Sequence, residues 1–337
     1  MICTSLRLLI FFALPIWLAG WIGAADAQSP QPSPTDASSD YPRKPIRFLI
    51  PSAPGGGTDV IGRLVAQKVS EAWNRPLVVE NRGGGGTTIG TNIVAKSAPD
   101  GYTMLMTAGN FAMIPALRRK LPYDPEKDFI PVMLVATQAT LLAVNSSVPV
   151  RSVTELIAFA RSKPGEIRYS SGGNGTPAHM STELFRVMAK ISLAHISYNG
   201  TGPALNAVVG GEVHMLMGTA ASLLPHVRSG RLRALAVTGS ARAKAVPELP
   251  TIAEAGLPGY MHQSWYGLWV PANTPPAIVR KINEEFNRAL VAPVVLERFA
   301  GPAIEPLGGT PKSFAAFLTA EIRKWTKLVR EAGIQAD

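Results

Sequence analysis

From Tyr41 onward, short apolar or β-branched runs alternate with amphipathic stretches, the pattern of an α/β fold. The first unit reads as a strand over residues 46–51, a proline- and glycine-rich turn over 52–58, and a helix. In that helix Ile61, Leu64, Val65, Val69 and Ala72 recur at helical spacing, with Thr58 or Asp59 as its cap. The second unit repeats the plan with a strand over 77–80, a turn over 81–86 and a helix opened by Thr87 or Thr88 that turns Ile89, Ile93 and Val94 inward. A third strand over 102–107 follows the Pro99-Asp100-Gly101 turn. Further strands are expected at 134–144, 167–171, 193–198, 212–218 and 232–237, and helices at 153–161, after 179, at 276–290 and at 311–332. A chain that builds one α/β unit, then a second, and returns helices to the first forms two lobes with a cleft between them, where small ligands usually sit.

Three of the strand-to-helix junctions are rich in glycine: PGGGTD at 54–59, NRGGGG at 81–86 and SSGGNGTPAH at 170–179. Glycine lets main-chain N–H groups approach a ligand, and the helix start adds roughly half a positive charge, so such a turn is suited to an anion. A short turn also needs glycine for backbone shape alone, and both readings stay open from the residues themselves. If the first two turns lie at the same end of adjacent parallel strands, they can grip one carboxylate between them. The third junction offers Asn174 and Thr176 as donors and His179 just inside its helix; Tyr198 and Trp265 are either walls of the cleft or ordinary core.

Composition narrows the function classes. With 337 residues and 46% hydrophobic content, the chain has material for a large core and more naturally for two domains than one. The formal charge of +10 is scattered, its longest basic run being Arg118-Arg119-Lys120, with no aromatic-interleaved basic motif. Nucleic acid is therefore not the expected partner; an anionic small molecule is, or else the surface is simply solvated. At the N-terminus Arg7 precedes an apolar run, and Ala25-Asp26-Ala27 follows it, the layout of an export signal cleaved after Ala27; an uncleaved anchor is the competing reading. Residues 28–40 read as a flexible tether. Cys3 is the chain's one cysteine and leaves with the signal, so disulfides, thiol catalysis and thiolate metal sites are excluded from the mature protein.

Signs of catalysis are lacking. The five histidines show no HExxH spacing, the His179 and Glu183 pair has no third metal ligand marked, and no Gly-x-Ser-x-Gly elbow is present. Gly85 and Gly90 have the outer spacing of a dinucleotide fingerprint, but Thr87 stands where its middle glycine belongs, and no phosphate-loop lysine exists. No enzyme activity, cofactor or metal is expected.

The ordered stretches YPRKPIRFLIPSAPGGGTD, VVENRGGGGTTIG, APDGYTMLM, LPYDPEKDFIPV, SVTELIAFARSKPGEIRYSSGGNGTPAHMSTELF, HISYNGTGPALNAVVGGEV, RLRALAVTGSAR, PTIAEAGLPGY and WYGLWVPANTPPAIV cover nearly everything from Tyr41 to the end. In that order they resemble the Bug family, the exported substrate-binding proteins of tripartite tricarboxylate transporters. The resemblance implies an α/β, two-lobed periplasmic-binding-protein fold of the type II kind, with residues 41–142 and 262–337 in one lobe and 143–261 in the other. It implies a monomeric, non-enzymatic periplasmic receptor that carries a small organic carboxylate to membrane transporter subunits; a sensor presenting the acid to a signalling receptor is the alternative. The ligand residues it implies are Ser52, Pro54, Gly55, Gly56, Thr58 and Asp59 in the first turn and Asn81, Gly84, Gly85 and Thr87 in the second. Thr107 and Asn110 follow the third strand, and Asn174, Thr176, His179 and Tyr198 face them from the second lobe. Two departures stand out: many relatives have Gly-Ala-Gly where this chain has Gly84-Gly85-Gly86, and some carry an acidic residue in place of His214. If His214 lines the cleft, affinity for an anion should change between about pH 5 and 8.

Overall fold

The structure, a computed structural model, describes residues 40–334 except 53, 119, 199 and 302 and the side chain of 332. The export signal and its cleavage at Ala27, Cys3, and the tether up to residue 39 lie outside the described residues. The chain opens with β1 (Ile46–Ile50), α1 (Gly57–Trp73), β2 (Leu77–Asn81), α2 (Thr88–Ala95), β3 (Thr103–Ala108), α3 (Asn110–Leu117) and β4 (Phe129–Gln138). It continues through β5 (Thr140–Asn145), α4 (Val153–Ser162), β6 (Arg168–Ser171), α5 (Pro177–Ala189), β7 (Ala194–Ser197), α6 (Thr201–Val209), β8 (Met215–Thr219), α7 (Ala220–Arg228) and β9 (Leu232–Val237). It ends with β10 (Ser264–Pro271), α8 (Pro276–Leu290), α9 (Pro293–Ala300), β11 (Ile304–Gly308) and α10 (Pro311–Ala332).

These strands form two mixed sheets, ordered β11-β4-β10-β3-β1-β2 and β7-β6-β8-β5-β9. In the first, β1 runs parallel to β2 and β3, and β10 antiparallel to β3 and β4; in the second, β6 is parallel to β7 and β8 while β5 is antiparallel to β8 and β9. Apart from the exposed Arg47, strand β1 is apolar because both of its faces are covered: Phe48 and Ile50 pack with α1 and α8, and Leu49 packs with α3 and α10 on the other side. The C-terminal α10 starts at a capping box between Thr310 and Ser313 and ends at Gly333 in the left-handed conformation. Its buried stripe of Phe314, Leu318, Trp325, Leu328 and Val329 shares a cluster with Met180 and Leu184 of α5, so this helix touches both lobes.

The run that reads as one strand over 134–144 is two strands, one in each sheet, broken at Ala139. The physical cause is divided hydrogen bonding: the Ala139 N–H donates to Ala303 O in the first lobe (3.1 Å), while its carbonyl accepts from Ala220 N–H in the second (2.8 Å). The chain returns beside this crossing, where Thr140 Oγ1 and Ser264 Oγ lie 3.1 Å apart, Thr238 N–H donates to Thr140 O and His262 N–H donates to Thr238 O. Strands β10 and β11 escaped the sequence reading. Seven of the eight residues of β10 are buried, so no polar alternation marks it, and β11 has only five residues. Strand β8 begins at Met215 rather than 212, because residues 210–214 are spent on a turn.

Helix α1 is capped by neither Thr58 nor Asp59. It begins one residue after Gly56, and Asp59 has a different task. The Asp59 carboxylate, 4% exposed, accepts the Gly55 N–H at 2.9 Å and the Asn81 amide at 3.0 Å, with Arg63 Nε 2.9 Å from Oδ1 and 3.0 Å from Oδ2. Asn81 in turn donates to Ser52 O at 3.1 Å, and its own oxygen accepts from Arg63 at 2.7 Å. This closed network ties the first glycine turn to the second. Burial pushes the Asp59 pKa up, but the hydrogen bonds from Arg63, Gly55 and Asn81, with the Arg63 charge, outweigh it and hold the carboxyl below its ordinary 3.8. A depressed pKa stabilises the fold above the ordinary value and ceases to do so as pH falls through the native one. Asp59→Asn is therefore expected to lose about 1.5–3 kcal/mol at pH 7, with the gap to the parent protein narrowing as denaturant melts are taken below about pH 4. A gap that stays constant from pH 7 to pH 3 would mean the carboxylate charge is not what joins the turns.

Candidate functional site

The carboxyl ends of β1, β3, β6 and β8 open onto a cleft between the lobes. Its outer cavity, of about 870 Å³, is lined by Ser52 and Pro54 of the first turn, Asn81, Gly84, Gly86 and Thr87 of the second, and Asn110 and Arg118 at the two ends of α3. Across it stand Gly172, Asn174, Thr176 and Gly200 of the second lobe. A deeper chamber of about 290 Å³ shares Ser52, Thr87, Asn110 and Thr176, and runs on to Gly56, Thr58, Thr107, Thr219, His262 and Tyr266.

Six helices begin at this cleft. The cap residues of α1 (Gly56), α2 (Thr87), α3 (Gly109), α5 (Thr176), α6 (Gly200) and α7 (Thr219) all line one or other cavity. Only Thr176 of these accepts a capping hydrogen bond on its side chain, from the His179 N–H. The other five helices have no side-chain cap, although main-chain carbonyls take the first-turn N–H groups of Ala220 in α7 (Ala139 O), Ile89 in α2 (Gly84 O) and Ala112 in α3 (Gly109 O). Each start carries roughly half a positive charge, so the cleft attracts an anion with almost no formally charged side chain in its walls.

The backbone is shaped for this approach. Thr87, a β-branched residue, is held at φ 84°, a costly conformation, and its Oγ1 accepts from the Asn110 amide at 3.0 Å. At Gly57 a β-carbon would stand 2.6 Å from the Tyr266 hydroxyl, so only glycine lets the start of α1 lie this close to β10. Tyr266 itself is fixed by donating to Gln138 at 2.7 Å.

Of the residues expected from the sequence, Ser52, Pro54, Gly56, Thr58, Asn81, Gly84, Thr87, Thr107, Asn110, Asn174 and Thr176 are brought together in the cavity walls. Gly55, Asp59, Gly85, His179 and Tyr198 are not among the lining residues. The Gly55 N–H is taken by Asp59, which lies beneath the turns, and Gly85 is exposed, with Arg118 3.9 Å from where its β-carbon would stand. His179 is 5% exposed and sits behind the second-lobe wall, its ring 4.3 Å from that of His195 and its Nδ1 accepting the Gly175 N–H at 3.1 Å. Burial, then the neighbouring His195, pushes its pKa down to about 4, so it supports the loop as a neutral ring. Tyr198 packs against the second-lobe core, with its hydroxyl 3.4 Å from Glu212. His214 is also outside the cleft, next to the first residue of β8, with Nδ1 accepting the Arg168 N–H at 2.9 Å.

Many lining residues went unread in the sequence, Arg118 and His262 among them. Arg118 looked like one member of a scattered basic run; only the end of α3 beside the second turn turns it inward. His262, 1% exposed, reaches the deeper chamber from the returning crossing, its ring edge-on to Trp325 at 5.6 Å and both ring nitrogens without a hydrogen-bond partner. Burial, followed by the Lys324 charge, pushes its pKa down to about 3. Among the described residues no group of three His, Cys, Asp or Glu is arranged to hold a metal ion, and no helix is long and apolar enough to cross a membrane.

Comparison with known proteins agrees with this architecture. BugT of Bordetella pertussis is 36% identical over 299 residues, covering 88% of this chain and 92% of that protein. The solved structure of R. palustris Rpa4515 with adipate matches with a TM-score of 0.80 at 35% identity, covering 88% of this chain and 99% of that one. MatC from Rhodopseudomonas palustris with bound malate matches with a TM-score of 0.76 at 31% identity, over 86% and 100% of the respective chains. Residues 61–334 match the model of the TctC family, described as the tripartite tricarboxylate transporter family receptor. By sequence and by its two-lobed fold, the chain belongs to the TctC family of periplasmic solute receptors.

Proposed function

We propose that this receptor captures a small organic carboxylate in the cleft and hands it, chemically unchanged, to the membrane subunits of a transporter. The convergence of six helix starts, five without a side-chain cap, carries the reading. One carboxylate sits between the first and second glycine turns, which the Asp59 network holds at a fixed spacing, and takes its hydrogen bonds from main-chain N–H groups. The lobes close over it by bending at Ala139 and at the returning crossing between Thr238 and His262. The adipate and malate held by the two solved relatives support the ligand class. Export to the periplasm, with the signal removed after Ala27, completes the reading.

Thermal unfolding of the mature protein against a panel of organic acids tests it. An acid at about a hundred times its Kd should add roughly 2.7 kcal/mol of stability. Gly56 has φ −74° and ψ 166°, values open to any residue, and its position lines the deeper chamber. Gly56→Val should therefore fold normally and abolish the ligand-induced shift. No shift with any acid, in protein freed of ligand by unfolding and refolding, would sink the receptor reading.

Affinity should also be flat, within about twofold, from pH 6.5 to 8, where a dicarboxylate ligand is fully ionised. His262 is the one imidazole lining the cleft among the described residues; with its pKa pushed down to about 3 it stays neutral throughout that range, and His214 lies elsewhere. Calorimetric titrations showing tighter binding toward pH 6.5 would mean that an imidazolium does face the ligand.

A further inference from the structure

Arg118 is the one formally charged side chain lining either cavity among the described residues. It follows the last turn of α3, is half-buried, and among the described residues no ion pair joins it to a carboxylate. Its guanidinium lies over the outer side of the second glycine turn, with nitrogens 3.9 and 3.8 Å from where β-carbons at Gly85 and Gly86 would stand. The deeper chamber holds no charged side chain, so positive potential in the cleft is of two kinds: main-chain dipoles at the helix starts, and one full charge displaced toward the mouth. Ile114 and Leu117 add apolar surface to the same wall, and Leu117 reaches to within contact of Gly175 on the opposite lobe.

We propose that Arg118 is a specificity-determining residue that pairs with a second anionic group of the ligand, selecting dicarboxylates over monocarboxylates of equal length. The inference rests on the carboxylate reading of the same cleft. A cavity of about 870 Å³ has room for an acid whose first carboxylate meets main-chain N–H groups at the helix starts while its second reaches the Arg118 guanidinium. The planar fork of arginine accepts a carboxylate in two parallel hydrogen bonds, and the partly buried position strengthens the pairing.

The test uses the mature protein and two series of straight-chain acids, α,ω-dicarboxylates of four to eight carbons and the monocarboxylates of matching length, titrated by calorimetry into the parent, Arg118→Gln and Arg118→Lys. The parent should prefer one dicarboxylate over its monocarboxylate partner. Arg118→Gln should weaken that dicarboxylate about tenfold to a hundredfold and leave the monocarboxylate unchanged, and Arg118→Lys should recover part of the loss. Equal weakening of both series would put Arg118 on the shared carboxylate and overturn the proposal, as would no weakening of either. Binding of monocarboxylates alone by the parent overturns it while leaving the carboxylate reading intact; binding of neither series overturns both. Ligand-free melting temperatures of the variants verify folding, and because Arg118→Lys keeps the charge, it decides the matter if Arg118→Gln does not fold.

Discussion

A helix leaves its first N–H groups without internal helical partners, and among the described residues six helices begin at one cleft. Much of the architecture follows from that constraint. The strands must end where the helices begin, so the α/β units of both lobes point the same ends toward each other. The turns between them must be compact, which places glycine at the close approach of α1 to Tyr266 and forces Thr87 into a conformation that β-branched residues avoid. Asp59 then has to hold two such turns together from below, and it manages this because its buried charge is matched by a main-chain N–H, an amide and a guanidinium.

The lobes are separate in their sheets but not in their packing. The single residue Ala139 divides its two hydrogen bonds between them, and the return crossing lies alongside, pinned through Thr140, Thr238 and Ser264. Helix α10 spans the same region, seating Trp325 against His262 and sharing its apolar stripe with α5. The connections between the lobes are thereby gathered into a narrow band of the molecule, while each side of the cleft keeps its own core.

The sequence made the α/β class, the repeated strand, turn and helix units and the glycine turns at the cleft legible, because period and glycine punctuation are local signals. The resemblance added the lobes and the ligand class. What stayed hidden depends on long-range packing: β10 is too deeply buried to alternate, and the break at Ala139 depends on partners at Ala220 and Ala303 that no local pattern announces. Arg118 and His262 enter the cleft through helix termination and chain return, so neither carries a local mark. His179, Tyr198 and Asp59, which the resemblance placed at the ligand, are not among the residues that line the cavities; His179 and Asp59 bond to the main chain of the glycine turns instead.

The uncapped helix starts change how such a site can be altered. A donor that belongs to the main chain is present whatever side chain is attached to it, so replacing residues one at a time with alanine leaves the donors in place and scores them as silent. Amide-to-ester exchange at the first turns of α1 and α2 removes the N–H itself and is the chemical edit to which such an anchor is sensitive. Inheritance faces the same rule: drift in the surrounding side chains can change the walls of the cleft while its main-chain donors persist, encoded less in residue identities than in the places where helices start.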